Sequence, residues 1–289
     1  MNLDLFDRSI FDIVNDRARS LEKRLSADVV FYHGRISPMY FRSFRDFIEE
    51  VSRTNDRDNG AVAVFLRTGG GSAETAERMV KVLRKHYNYV YFVVPDLAMS
   101  AGTILCMSGD KIYMDYASSL GPIDPQVPAP DTGEYIPAMG YLDKVNELTA
   151  KGSLQEADVV LLRSLDLAKL ALFEQARDLS IDLLKQWLVE YKFKDWKEHR
   201  TTNPGTPVTP KQKAERAEEI ATALSDHKLW RSHGRHLDTT KLAELRIQID
   251  DYSDDSKLCQ LIREYNDPLT GFIDRMSIPF FLHNHRVGP

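Results

Sequence analysis

The sequence predicts an α/β fold with a mainly parallel sheet and a helical C-terminal part. Three observations carry this. Residues 61–66 (Ala-Val-Ala-Val-Phe-Leu) form an unbroken apolar run between Gly60 and Gly69, the pattern of a strand buried on both faces. Strand-like and helix-like segments then alternate four times within about a hundred residues, which calls for right-handed βαβ crossovers. Beyond residue 150 the strand pattern gives way to helical spacing.

Each element follows from its own residues. Residues 1–25 are charged and helix-prone, with Leu5, Phe6, Ile10, Phe11 and Ile13 as an apolar set, and read as a peripheral N-terminal helical arm. Residues 28–32 make the first strand. A helix from about Tyr40 to Val51 places Phe41, Phe44, Phe47 and Ile48 on one face. After the strand at 61–66, a helix begins near Ser72, with Ala73, Ala76, Val80, Leu83 and Tyr87 at helical spacing. Residues 89–94 form a third strand, stopped by Pro95. A short helix begins at Ser100, and residues 111–114 are another strand. Ser153-Leu154-Gln155-Glu156 has the form of a capping box that opens one long helix, with Leu161, Leu165, Ala168, Leu172, Ala176 and Leu179 as its stripe. Thr209 and Pro210 mark a later helix start. The expected organisation is an arm (1–25), a core (26–150) and a helical region (151–289) that packs on the core or forms subunit contacts.

Composition narrows the function. The 289 residues carry a net charge of −5, whereas a nucleic-acid binder usually shows a basic excess. Cys106 and Cys259 make no disulfide framework and lack metal-site spacing. The eight histidines include no H-E-x-x-H pair, so no metal or other cofactor is expected. No phosphate-binding G-x-x-x-x-G-K-[ST] loop occurs, so an ATPase or regulatory partner, if one exists, is a separate protein. The early acidic residues are followed by no signal-type apolar stretch, and no run approaches about 18 apolar residues. The expectation is a cytoplasmic chain.

Three short segments follow successive strands, where ligand sites of open α/β sheets gather. Thr68-Gly69-Gly70-Gly71-Ser72 turns sharply and leaves amides open for an oxyanion; alone, it is equally a tight turn. Ala98-Met99-Ser100-Ala101-Gly102 sets a hydroxyl at a helix start; alone, Ser100 reads as a helix N-cap. Ser118-Ser119-Leu120-Gly121-Pro122-Ile123-Asp124-Pro125-Gln126 is by itself a Gly/Pro turn.

In this order and spacing, with Ser100 lying 29 residues after Gly71, the three segments resemble the serine dehydrogenase proteinase family, soluble relatives of signal peptide peptidase A and of the Clp protease. The resemblance covers about residues 28–150, with a weaker echo at 227–234. It implies a Clp/crotonase-type ββα superhelix and a serine endopeptidase acting through an acyl-enzyme. Ser100 would be the nucleophile, with an oxyanion hole from Gly70, Gly71 and Ala101, the amides of Gly70 and Ala101 being the expected donors. It also implies a homo-oligomer acting on a peptide or protein. One departure stands out: the family's loop usually reads Thr-Pro-Gly-Gly, and Gly69 replaces the proline here.

Serine needs a base. Membrane-bound relatives use a downstream lysine, and Lys144 lies at a comparable separation, with Lys151 as the second candidate. A lysine serves only if burial lowers its pKa, and Met139, Leu142 and Val145 offer that surrounding. The Clp arrangement uses a histidine near the position of Asp124, but no histidine lies between His86 and His199. His233 is therefore a third candidate, approaching from the C-terminal part with Asp124 as its orienter. Two other functions fit the same fold: a crotonase-like enzyme handling thioesters or other acyl groups, and an inactive peptidase scaffold that binds a peptide or partner.

Overall fold

A computed structural model describes residues 5–54, 60–128, 135–163, 165–199 and 204–287. In chain order its elements are α1 (Leu5–Leu25), β1 (Asp28–Gly34), α2 (Pro38–Arg53), β2 (Ala61–Arg67), α3 (Ala73–His86), β3 (Tyr89–Val93), β4 (Leu97–Ala98), α4 (Ala101–Met107), β5 (Lys111–Met114) and β6 (Ser119–Leu120). A hairpin of β7 (Gln126–Pro128) and β8 (Tyr135–Pro137) leads to α5 (Met139–Thr149), α6 (Glu156–Arg163) and α7 (Leu167–Trp187). The chain closes with α8 (Pro210–Ser225), α9 (His227–Trp230), α10 (Thr239–Glu244), β9 (Asp250–Asp251), α11 (Ser256–Arg275) and β10 (Phe280–His283).

The main sheet has the order β10-β1-β2-β3-β5-β9, parallel throughout except for β10, which runs antiparallel to β1. Alternate residues of β1, β2, β3, β5 and β10 feed two cores. Val62, Val64 and Leu66 face α2, α3, α4, α7 and α8, while Ala61, Ala63 and Phe65 face α1 and α11. This double burial is why the run at 61–66 is apolar at every position. Each large apolar side chain so buried contributes about 1.5–3 kcal/mol.

A second, minor ladder positions the functional site. Between main strand and following helix, several units add a short extended piece. Ile36 pairs with Gly71, Thr68 with Ala98, Leu97 and Ala98 with Ser119 and Leu120, and Leu120 with Leu237. Strand, short strand and helix thus recur as a ββα unit, and the fold is the mixed α/β, mainly parallel class expected from the sequence.

The structure differs from the sequence reading in three places. α1 is no peripheral arm: Phe11, Val14, Ala18 and Leu21 are buried against α11 and the sheet, whereas Leu5, Phe6 and Ile13 are exposed. The helix expected from Ser153 onward is two helices. Asp166 breaks it by accepting from the Ala168 and Lys169 amides as the N-cap of α7, and Leu161 and Leu172 of the expected stripe are exposed. Within the region 151–289 expected to be helical, Phe280–His283 form the strand β10. Thr209 and Pro210 open α8 with a full capping box to Gln212, as expected. Among the described residues no helix is long and apolar enough to cross a membrane.

β10 brings a titratable group into the core. His283 is fully buried, 3.0 Å from the Tyr265 hydroxyl and 3.1 Å from Asn15 Oδ1. Burial, reinforced by the charge of His285, lowers its pKa to about 4. The unfolded chain takes up this proton near pH 6.5; the native state resists it until about pH 4. Stability is therefore fully present above the unfolded pKa and declines as pH falls toward the folded one. The expected loss from this residue is roughly 3 kcal/mol between pH 7 and pH 4. Urea unfolding across that range checks it. A His283→Gln chain that keeps both hydrogen bonds should show a correspondingly shallower acid slope; an identical slope would refute the assignment.

Candidate active site

Ser100 sits between β4 and α4 with φ 52° and ψ −117°. A residue with a Cβ pays about 1–3 kcal/mol for such a backbone. The side chain makes no cap hydrogen bond to α4, so the helix-cap reading of Ser100 is not what the geometry displays. Ser100 instead lines an open cavity of about 680 Å³.

Glycines permit the close approach around this turn. A Cβ on Gly70, whose φ is +102°, would stand 2.8 Å from both the Met99 carbonyl and Ser100 Cβ. A Cβ on Gly71, at φ +149°, would stand 2.0 Å from the Ile36 carbonyl oxygen. Ile36 donates to the Gly70 carbonyl and accepts from Ser72, both at 2.9 Å. In a parallel ladder these bonds flank Gly71 and turn its own N–H and C=O to the opposite side. The Gly70 amide, by contrast, donates to Thr68 Oγ1 at 3.0 Å. Among the described residues no backbone hydrogen bond engages the amides of Gly71 and Ala101. The available pair is thus Gly71 with Ala101; the expected Gly70 amide is already committed.

Gly69 needs no glycine. Its φ lies outside the left-handed region and nothing stands within 4 Å of a Cβ built there. Thr68 before it is a bridge residue in extended pairing, the conformation that a following proline favours. Gly69→Pro is expected to raise stability by about 0.4–1 kcal/mol by restricting the unfolded chain, read as a higher Tm; a lower Tm would show that the backbone at 69 does not suit proline.

The base candidates fall in different places. Lys144 is an exposed side chain, 3.0 Å from Glu147 Oε1. Lys151 pairs with Asp158 at 3.0 Å. Neither lines the cavity at Ser100, and Lys144 lacks the burial that a lysine base requires, because α5 turns its Met139 and Leu142 face inward and leaves Lys144 outside. His233 and Asp124 both line the cavity with Ser100, Gly70, Gly71 and Ala101. His233 Nδ1 lies 2.9 Å from Asp124 Oδ1, and Gln126 Nε2 donates to Asp124 Oδ2 at 2.8 Å. The carboxylate is 2 % exposed and held on both oxygens. Nδ1–H donates to the carboxylate, which leaves Nε2 as the basic nitrogen of the neutral ring. Leu237 pairs with Leu120, and Ser119 Oγ bonds His236 Nδ1 at 2.8 Å, so the minor ladder brings the 233–237 segment to the Asp124 loop.

Gln126 is a functional neighbour that the sequence reading quoted only within its motif. Its i+2 spacing from Asp124 in the Asp-Pro-Gln run was the available signal. The far wall of the cavity comes from α7 through Ala176, Leu179 and Ser180. Ala176 and Leu179 belong to the expected stripe, yet they face the site. Among the described residues no cluster of three metal-ligating side chains occurs.

The molecule thus combines a mainly parallel sheet, a minor ladder beside it, and a serine on a strained turn that shares one cavity with Gly71 and Ala101. A family model described as ClpP-like SDH-type serine proteinase matches residues 45–210, more than half of the chain, and the chain belongs to that family. Two curated relatives from Methanocaldococcus jannaschii are similar to it. The uncharacterized protein MJ0137 is 31 % identical over 168 residues, covering 57 % of this chain and 55 % of its own length. The uncharacterized protein MJ1495 is 27 % identical over 208 residues, covering 72 % and 58 %. The chain therefore spans somewhat over half the length of these relatives. Among solved structures, one mutant of the 1510-N membrane-bound stomatin-specific protease superimposes with a TM-score of 0.47 at 15 % identity, covering 81 % of this chain and 82 % of that one. A second mutant of that protease, in complex with a substrate peptide, gives 0.33 at 24 % identity, covering 40 % and 55 %. Likenesses this distant carry no argument about chemistry.

Proposed function

We propose that this protein is a serine peptidase that cleaves peptide bonds through an acyl-enzyme on Ser100, with His233 as general base and Asp124 as its orienter. The observation that carries the reading is the shared cavity of Ser100, His233 and Asp124, with the 2.9 Å His233–Asp124 contact fixing which imidazole nitrogen is basic. His233 Nε2 takes the Ser100 proton as Oγ attacks the scissile carbonyl. The oxyanion is received by the Gly71 and Ala101 amides. The imidazolium, stabilised by the buried Asp124 carboxylate, returns the proton to the departing amine, and water activated by the same nitrogen releases the acyl group. The substrate lies extended beside residues 69–71 and adds its backbone to the minor ladder. This departs from the Ser–Lys dyad that the resemblance implied. Of the three candidates Lys144, Lys151 and His233, it uses the one that lines the cavity with the serine.

A fluorophosphonate probe tests the assignment. It should attach to Ser100, as peptide mapping reads, and labelling should vanish in Ser100→Ala. Labelling that persists in that variant would sink the proposal. Turnover of acyl-CoA thioesters by Ser100→Ala would favour the thioester reading instead.

A further inference from the structure

We infer that Thr103 is a positioning residue, which holds the Ser100 turn in register with the loop that carries Asp124; the inference rests on the peptidase reading above. Thr103 lies one turn into α4, three residues after Ser100, and is completely buried. Its Oγ1 is 2.9 Å from the Ala98 carbonyl, 2.9 Å from the Gly121 carbonyl and 2.9 Å from the Gly121 amide. The hydroxyl has one proton. It accepts from Gly121 N–H, and its own proton lies between the two carbonyls. Ala98 stands two residues before the nucleophile, and Gly121 three before Asp124. One hydroxyl therefore joins the backbone of the nucleophile to the backbone of the orienting carboxylate.

The surroundings leave this joint little freedom. A Cβ on Gly102 would meet Thr68 Cγ2 at 2.5 Å, and one on Gly121 would meet Met99 Cε at 2.6 Å. From the far side, Ile123 N–H donates to the Leu224 carbonyl of α8 at 3.0 Å. The direct ladder between the two segments, β4 with β6, is only two residues long on each strand. A strained serine backbone stays in place only where its surroundings over-determine it, and Thr103 supplies that restraint on the Asp124 side. A misplacement of about 1 Å between reacting groups costs on the order of 100-fold in rate.

The test is the inactivation of the full chain by a fluorophosphonate, resolved into the limiting rate at saturation and the half-saturating concentration, with hydrolysis of fluorescein-labelled casein alongside. Thr103→Val removes the hydroxyl at constant volume. Its limiting rate should fall about 10- to 100-fold, while the half-saturating concentration moves less than about threefold. Thr103→Ser, which keeps the hydroxyl, should stay within about threefold of wild type. Rates are scored per folded molecule by near-ultraviolet circular dichroism. If Thr103→Val does not fold, Thr103→Ala, whose small cavity leaves room for relaxation, takes its place with the same expectation. Wild-type limiting rates in the valine or alanine variant would overturn the positioning role while leaving Ser100 as nucleophile. A wild-type protein that is not labelled at Ser100 would overturn the parent reading, and this inference with it.

Discussion

Alanine at Ser100 or at His233 is expected to lower kcat/KM for a peptide substrate by about 10⁴-fold or more, and Lys144→Ala by less than about threefold. The contrast follows from placement. His233 shares the cavity with Ser100 and is held by a carboxylate that is 2 % exposed. Lys144 faces solvent and pairs with Glu147. Members of a catalytic unit are non-additive, so Ser100→Ala/His233→Ala should be scarcely worse than either single variant. Asp124→Asn would let the imidazole settle in the wrong tautomer and should cost a comparable factor. The measurement is steady-state hydrolysis together with the rate of fluorophosphonate labelling. A His233→Ala protein that labels at the wild-type rate, beside a Lys144→Ala protein that does not label, would overturn the base assignment and restore the lysine.

Gly71→Ala is the second large effect. At φ +149° a side chain is strained, and the new Cβ would lie 2.0 Å from the Ile36 carbonyl oxygen and 2.8 Å from its carbon. Both neighbours are backbone, so the loop itself must move. The movement breaks the two 2.9 Å bonds between Ile36 and the Gly70–Ser72 segment and swings the Gly71 amide off the oxyanion position proposed for it. Loss of one oxyanion donor costs about 10²- to 10³-fold in rate, and the strained backbone about 1–3 kcal/mol of stability. Gly69→Ala is the matched control, because nothing stands within 4 Å of its Cβ; it should leave the rate unchanged and should not lower stability. A Gly71→Ala protein that is labelled at the wild-type rate would remove Gly71 from the oxyanion hole.

The legible features were those set by neighbours in the chain. Period and length of apolar runs marked β1, β2, β3 and β5, since strands buried on both faces show it residue by residue. Thr209 and Pro210 announced α8 because a cap is satisfied within one turn. The Ser100 turn was legible only together with the glycine loop before it and the Gly-Pro-Ile-Asp turn after it, since alone it reads as a helix cap; only the structure reveals the positive φ of Ser100 and the absence of a side-chain cap bond. α1 looked peripheral because its charged face dominates the composition, whereas α11, far away in the sequence, covers its apolar stripe.

The sequence by itself determined the α/β class, the order of glycine loop, serine and Gly-Pro-Ile-Asp turn, and the serine proteinase family these imply. Only the tertiary structure decided which groups line the cavity with the serine. His233 lies 109 positions from Asp124, a distance over which no periodicity or spacing rule operates; the minor ladder closes it by pairing Leu237 with Leu120. The choice of Gly71 over Gly70 rests likewise on where a parallel ladder turns its amides. Sequence neighbours set local conformation; which amide, imidazole and carboxylate share one cavity is settled by long-range packing and hydrogen bonding.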